Sequence, residues 1–314
     1  MKSVTVIGLG PMGQAMAGAY LDDGYEVTVW NRTTARADEL VARGARRAES
    51  VEAALTAGGP VVLSLTDHDA TDAVLAQAPE AALAGRTLVN LTSDTPDRTR
   101  QTAAWLAGRG AVHITGGVQV PPPGIGTPDA MTYYSGPKDA IEGHRPALEV
   151  LTGIEYLGED PGLAALYYQI GIDMFWTALA GYLHGQAVAE ANGISAEDFL
   201  PHAVKTMDLR YFLEFYAPRI AAGNHEGDVD RISMGAASLE HVLHTTRASG
   251  VDDSIPAAVL EIFRQGIASG HGRDSLTSLI GVLRQRRRTT GPAPEDGLDA
   301  STGARPDGPQ HFLS

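Results

Sequence analysis

Three glycines and one arginine carry the first readable chemistry of this chain. Gly8-Leu9-Gly10-Pro11-Met12-Gly13 fits the pattern G-x-G-x-x-G. Gly8 permits a tight turn, Gly10 lets backbone approach a bulky anion, and Gly13 lets a following helix pack closely on a strand. The free N–H groups that open such a helix favour phosphate. Downstream, Asn31-Arg32-Thr33 closes a second apolar run, and no carboxylate follows until Asp38. An acid at that point would accept hydrogen bonds from a ribose 2′-hydroxyl and repel a 2′-phosphate. Arg32 instead pairs with a 2′-phosphate through a charge-assisted fork. The chemistry predicted is the binding of NADPH, with Leu9, Pro11 and Met12 against its phosphates and Asn31 and Thr33 beside Arg32.

These residues need strands and helices in a set order, and the sequence supplies it. Ser3–Ile7 is a short β-branched run, Gln14–Leu21 reads as helix, and Glu26–Trp30 reads as a second strand. Further strand candidates are Pro60–Leu65, Thr87–Leu91, Ala111–Ile114 and Met131–Tyr134, with helical patterns at Thr33–Arg43, Ser50–Ala57, Ala70–Ala76, Thr95–Ala107 and Lys138–Leu151. This alternation predicts an α/β fold, a Rossmann-type doubly wound parallel sheet over residues 1–160. Such sheets bind ligands at the carboxyl ends of their strands, which adds Leu65, Thr66, Asn90, Thr92 and Ser93 to the candidate cofactor residues. The segment Gly116–Gly126 is so rich in glycine and proline that it reads as one long functional loop.

Composition excludes several classes. A formal net charge of −14 argues against nucleic acid as a partner. There is no cysteine, hence no thiolate nucleophile, disulfide or cysteine metal site. His241-x-x-His244 is the only close histidine pair; without a carboxylate at ligand spacing it reads as helix surface or packing, so no metal is expected. The first strand begins at residue 3 and leaves no room for a signal peptide ahead of it, which predicts a cytoplasmic protein.

Beyond residue 160 the strand patterns stop. Leu163–Leu183 is apolar on nearly all sides, yet Gln169, Asp173 and the absence of flanking basic residues argue against a membrane span. A helix of this kind must be buried all round, and the rest of an all-helical domain over 161–288 is too small to enclose it. A second subunit is the expected cover. Further helices are expected at Ala196–Met207, Tyr211–Ala222, Ile232–Ala248, Ile255–Ser269 and Ser275–Arg287. The last ends in a basic cluster, Arg284 and Arg286–Arg288, that suits the helix dipole. Residues 289–314, rich in Gly, Pro, Asp and Thr, are expected to be a disordered tail.

Taken together, GLGPMG, WNRT, NLTSDTP, GGVQVPPPGIG, LYYQ within the long helix and GDVDR at 227–231 resemble the bacterial imine reductases, a branch of the β-hydroxyacid dehydrogenase-like superfamily. The likeness runs from residue 3 to about residue 288. It implies NADPH-dependent reduction of cyclic imines, in a homodimer whose helical domains interlock and whose active sites lie between one subunit's Rossmann domain and the other's helical domain. Hydroxyacid members of the superfamily use a lysine early in the long helix, and this chain has no lysine between Lys138 and Lys205. Imine reductases carry Asp or Tyr nearby, and Leu166-Tyr167-Tyr168 matches the tyrosine form, so the resemblance assigns catalysis to Tyr168. Tyrosine-type members tend to give (S)-amines. Reductive aminases carry a tyrosine eight residues further on, where this chain has Trp176, and an Asn where it has Ser93; both departures speak against efficient condensation of free ketone and amine.

The chemistry agrees with the tyrosine. Hydride addition to C=N is easiest when nitrogen is protonated, and a phenol keeps its proton at neutral pH and can donate it. Asp173 is the rival acid, able to hold an iminium. Trp176, Met234, Val118, Val120 and Pro121 are expected to supply an apolar pocket lining. Two other readings remain open: a hydroxyacid dehydrogenase with a different acid, and a catalytically silent NADPH-binding protein.

Overall fold

The structure, a computed structural model, describes residues 2–284. Eight strands form one sheet among these residues: β1 (Ser3–Ile7), β2 (Glu26–Trp30), β3 (Arg46–Arg47), β4 (Val61–Leu63), β5 (Thr87–Asn90), β6 (Val112–Val118), β7 (Met131–Ser135) and β8 (Gly153–Gly158). Their order is β3-β2-β1-β4-β5-β6-β7-β8. The first six are parallel and follow the Rossmann order, with the topological switch between β1 and β4. Val4, Val6, Val62 and Val89 on one face, with Ile7, Val61, Leu63 and Leu88 on the other, are buried, which is why these strands read as continuous apolar runs.

Between the strands run α1 (Pro11–Asp22), α2 (Asp38–Ala42), α3 (Val51–Thr56), α4 (His68–Leu75), α5 (Pro96–Ala107) and α6 (Lys138–Glu149). Beyond them come α7 (Gly162–Ala191), α8 (Ala196–Met207), α9 (Arg210–Ala221), α10 (Ile232–Ala248), α11 (Ser254–Gly266) and α12 (Leu279–Arg284). The described chain forms two compact units that divide within α7, after Leu179. The first holds the sheet. The second is helical, with a small core of Ala236, Leu243 and Leu260 between α10 and α11.

Several elements depart from the sequence reading. β7 runs antiparallel to β6, in register from Thr115↔Ser135 to Val118↔Thr132, so the sheet is not parallel throughout. The first residues of the supposed long loop, Gly116–Val118, belong to β6. Their glycines mark close approach rather than irregularity. A Cβ on Gly116 would lie 2.3 Å from Leu91 Cδ2, and one on Gly117 would lie 2.9 Å from Tyr168 Cβ and 3.0 Å from the Ala164 carbonyl. The two edge strands lie outside the strands the sequence predicts: β3 is two arginines with no apolar pattern, and β8 alternates only briefly, Ile154 and Tyr156 packing on the core with Glu155 exposed between them. The helix expected over Thr33–Arg43 is a 3-10 turn at Thr34–Ala37 followed by α2. α11 ends early, in a π-turn closed by Gly270 at φ 90°. α7 is 30 residues long, yet no described helix is long and apolar enough to cross a membrane. The expected tail at 289–314 and the basic residues Arg286–Arg288 lie outside the described residues.

Candidate active site

A cleft of about 500 Å³ opens at the carboxyl ends of β1 and β4, lined by Gly8–Met12, Trp30–Thr33, Arg36, Ser64–Thr66, Ala70, Ala73, Val74 and Gln77. The glycine turn that shapes it is forced by packing. Gly8 has φ 95°, and a Cβ there would lie 2.2 Å from the Ser64 carbonyl oxygen. One on Gly13 would lie 1.9 Å from the carbonyl oxygen of Gly8, so helix α1 can sit this near β1 only without a side chain. Gly10 is different: a Cβ on it would meet nothing within 4 Å and would project into open space beside the turn. Pro11 occupies the first helical position of α1, where its missing N–H costs nothing, and neither a capping side chain nor an acid occupies the first turn. The first N–H groups and the positive end of the helix dipole are thereby left for an anion.

Asn31 holds this turn to β2. Its Oδ1 accepts the Leu9 N–H at 2.9 Å and its Nδ2 donates to the Thr33 carbonyl at 2.9 Å. Its amide is therefore engaged within the protein, which leaves Arg32 and Thr33 to face the cleft. Arg36, one turn further on, faces it too. The sequence does not single out Arg36, because it stands in a 3-10 turn, where α-helical spacing from a neighbour does not apply. The sequence reading also missed the stripe Ala70, Ala73, Val74 and Gln77, which has the i, i+3, i+4, i+7 spacing of one helix face. The nearest acid in sequence, Asp38, forms an ion pair with Arg47.

The fit to a phosphorylated dinucleotide can be tested on these features. A side chain at Gly10 would project where a pyrophosphate must approach, the lining carries two arginines, and no carboxylate is among the lining residues. Arg32, Thr33 and Arg36 would hold a 2′-phosphate, the backbone of Leu9–Met12 a pyrophosphate, and the small apolar face of α4 the adenine.

The other predicted cofactor residues divide by depth. Leu65 and Thr66 line the cleft, and Ser93 is exposed at the end of β5. Asn90 is fully buried and Thr92 nearly so. Asn90 Oδ1 accepts the Thr92 N–H at 3.0 Å, and Thr92 Oγ1 accepts the Leu65 N–H at 3.1 Å, so these two side chains tie together the loops after β4 and β5. Asp94 accepts N–H groups from Thr95 and from His68. Partial burial opposes its ionisation, but those donors outweigh it and hold the carboxyl below the usual range.

Tyr168 is half-buried on α7, packed against Gly117 of β6. It is not among the residues lining the cleft. β6 and the segment after it bring Val118 and Val120, both half-buried, to the same part of the first unit; Pro121 is exposed. Gln119 reaches α7 as well, its Oε1 3.7 Å from where a Cβ on Gly171 would stand. Asp173 and Trp176, further along α7, are exposed. Met234 stands exposed on α10 in the second unit. In that unit Tyr216 donates to Asp230, whose other oxygen accepts the Leu276 N–H at 2.8 Å, and Asp228 pairs with Arg219 at 2.7 Å. The segment 227–231 is therefore clamped by its own acids. Arg231 donates to the Gly227 carbonyl at 3.1 Å. His241 and His244 are both exposed on α10, and no metal-binding group of side chains occurs among the described residues.

Comparison with known proteins bears directly on this arrangement. Residues 3–158 match the family model of the NAD binding domain of 6-phosphogluconate dehydrogenase, and residues 160–285 match that of the NADPH-dependent reductive aminase-like C-terminal domain. An imine reductase of Bacillus cereus BAG3X2 is similar in structure, with TM-score 0.85 and 57% identity over 91% of this chain and 100% of that one. The Streptomyces aurantiacus imine reductase has TM-score 0.88 and 56% identity over 90% of this chain and 100% of its own. An NADPH-dependent reductive aminase of Aspergillus oryzae is 30% identical over 89% of this chain and 96% of its own length. Similarity of this extent spans both units in one unbroken order, and the chain belongs to the imine reductase and reductive aminase family of NADPH-dependent oxidoreductases.

Proposed function

We propose that this protein reduces imines, cyclic ones foremost, to amines with NADPH. The observation that carries the reading is the cleft at the β1/β4 switch, with two arginines and no carboxylate in its lining, in a chain that resembles imine reductases over 90–91% of its length. When bound, NADPH supplies a hydride from C4 of its nicotinamide. Arg32 and Arg36 select the phosphorylated cofactor by pairing with the 2′-phosphate. Leu65, Thr66 and Ser93, at the ends of β4 and β5, orient the reacting end. As the imine carbon accepts hydride, the C=N π pair moves onto nitrogen, and Tyr168 gives that nitrogen a proton through its hydroxyl or a water that the hydroxyl orders. Val118, Val120, Pro121 and Trp176 exclude water around an apolar imine, and the Asp173 carboxylate favours the positive charge that grows on nitrogen as that one proton arrives.

The functional protein is a homodimer in this reading, with residues 1–160 as the NADPH domain and 161–288 as the helical domain that pairs with a second copy. Its support is exposed apolar surface on α7 and α9: Trp176 is 61% exposed, Leu183 64% and Tyr211 69%, the kind of surface that marks a protein–protein contact. The test is NADPH consumption with 2-methyl-1-pyrroline, beside NADP reduction with a panel of β-hydroxyacids. Imine-dependent oxidation of NADPH without hydroxyacid activity is the expected result. Hydroxyacid turnover alone would replace this reading with a dehydrogenase, and NADPH binding without turnover of either would replace it with a non-catalytic role.

A further inference from the structure

Beneath the cleft lies a buried imidazole that the proposed reaction does not use. His68, fully buried at the start of α4, sits between Asn90 of β5 and Thr102 of α5. Asn90 decides its tautomer. Because Asn90 Oδ1 accepts the Thr92 N–H, its amide nitrogen faces the ring and donates to His68 Nε2 at 3.3 Å. The ring proton is then on Nδ1 and is donated to Thr102 Oγ1 at 2.9 Å. From Asn90 the chain of bonds continues through Thr92 to the Leu65 N–H. A second path leaves the backbone of the same residue: the His68 N–H donates to Asp94 Oδ2 at 3.0 Å, and the Asp94 carbonyl accepts from Gln169 Nε2 of α7 at 3.3 Å. One side chain thus ties the loops after β4 and β5 to each other, and its backbone ties them to the turn of α7 that carries Tyr168.

We propose that His68 is a positioning residue for hydride transfer: by accepting from Asn90 it sets the spacing of Leu65–Thr66 and Thr92–Ser93, the two loops that orient the nicotinamide. The inference rests on the proposed cofactor site. A histidine that only fills the core would contribute stability and nothing else, so the two roles separate experimentally. Gln in place of His68 carries an amide oxygen near the position of Nε2 and can still accept from Asn90. Asn reaches only as far as Nδ1, keeps the Thr102 partner and leaves the Asn90 amide without an acceptor. Each substitution removes one buried hydrogen bond and lowers Tm, so stability alone does not distinguish them.

The experiment compares His68→Asn and His68→Gln with the parent in the full chain, below the unfolding transition. Two readouts are used: kcat with NADPH and imine, and the fluorescence of bound NADPH, which reports how firmly the reduced nicotinamide is held. His68→Asn is expected to lose about ten-fold or more in kcat, since sub-ångström misplacement of reacting groups is costly, while His68→Gln stays within about three-fold. The bound-cofactor emission is expected to fall in the Asn variant alone, with the dissociation constant for NADPH little changed. Equal kcat and equal emission in both variants, with the parent turning over imine, would overturn the positioning role and leave the proposed activity standing. Loss of emission in the Asn variant alone, with a parent that binds NADPH but reduces no imine, would uphold the positioning role and sink the activity.

Discussion

Arg32 faces the cleft from the bend after β2 and Arg36 from the 3-10 turn that follows, while the nearest acid in sequence is neutralised by Arg47. Charge-assisted contacts to phosphate are stronger than neutral ones, so each arginine is worth measuring singly. Arg32→Ala is expected to raise the KM for NADPH by about ten-fold while changing that for NADH little. Arg36→Ala is expected to act in the same direction. Steady-state kinetics with both cofactors checks this, and an equal effect on the two would remove the 2′-phosphate from the assignment. At Tyr168 the relevant loss is of proton donation: Tyr168→Phe keeps the packing on Gly117 and is expected to lower kcat on imines by about ten-fold or more. Turnover at the parent's rate would make Tyr168 a packing residue. Arg32 was legible in the sequence because its place follows from a strand end. Arg36 has the same chemistry but sits in a turn that helical periodicity misdescribes, and it went unread.

At the scale of elements, the contact between β6 and α7 is a matter of one missing side chain. Gly117→Ala would drive a methyl group into Tyr168 Cβ and the Ala164 carbonyl, and α7 would have to move. The expected outcome is a folded protein with kcat lowered about ten-fold or more, since small misplacements of reacting groups are costly. Circular dichroism beside kinetics separates this from unfolding. The sheet also carries a pH dependence. Burial holds the His113 imidazole down to about 3 and keeps that of His68 below its ordinary value. Unfolded histidine titrates near 6.5, so between that pH and about 3 the unfolded chain binds protons that the folded chain does not. The stability these groups contribute is complete above about 6.5 and is lost as pH falls, by up to about 1.4 kcal/mol per unit for His113, with His68 acting in the same direction. A Tm-against-pH series is expected to fall in that window, and to fall less steeply in His113→Gln. The glycines of β6 show why this region was misread. In sequence Gly116 and Gly117 resemble loop, because nothing in composition distinguishes a glycine that needs freedom from one that needs room for a neighbour.

At the scale of the whole molecule, large apolar side chains stand open among the described residues: Met174, Phe175 and Trp176 on α7, and Tyr211, Phe212 and Leu213 on α9, are each at least half exposed. A second copy is the proposed cover. Leu183→Asp, placed on that surface, is expected to shift the protein from dimer to monomer in sedimentation velocity and to abolish imine turnover, while NADPH binding by the sheet-bearing unit survives. A fully active monomer would remove the shared site. By itself the sequence determined the dinucleotide unit, the phosphate preference and the helical second half, because each is written in short-range patterns: glycines at fixed offsets, a residue at a strand end, apolar runs of a given period. Only the tertiary structure decided that β7 runs against β6, that Arg36 joins Arg32, that Asn90 lies beneath the cleft, and that His68 links its loops. The physical reason is range. Turns and periodicity act over a few residues and survive in the linear order, whereas strand direction at a sheet edge, the depth of a side chain and a hydrogen bond across 22 or 34 positions exist only once distant segments have packed.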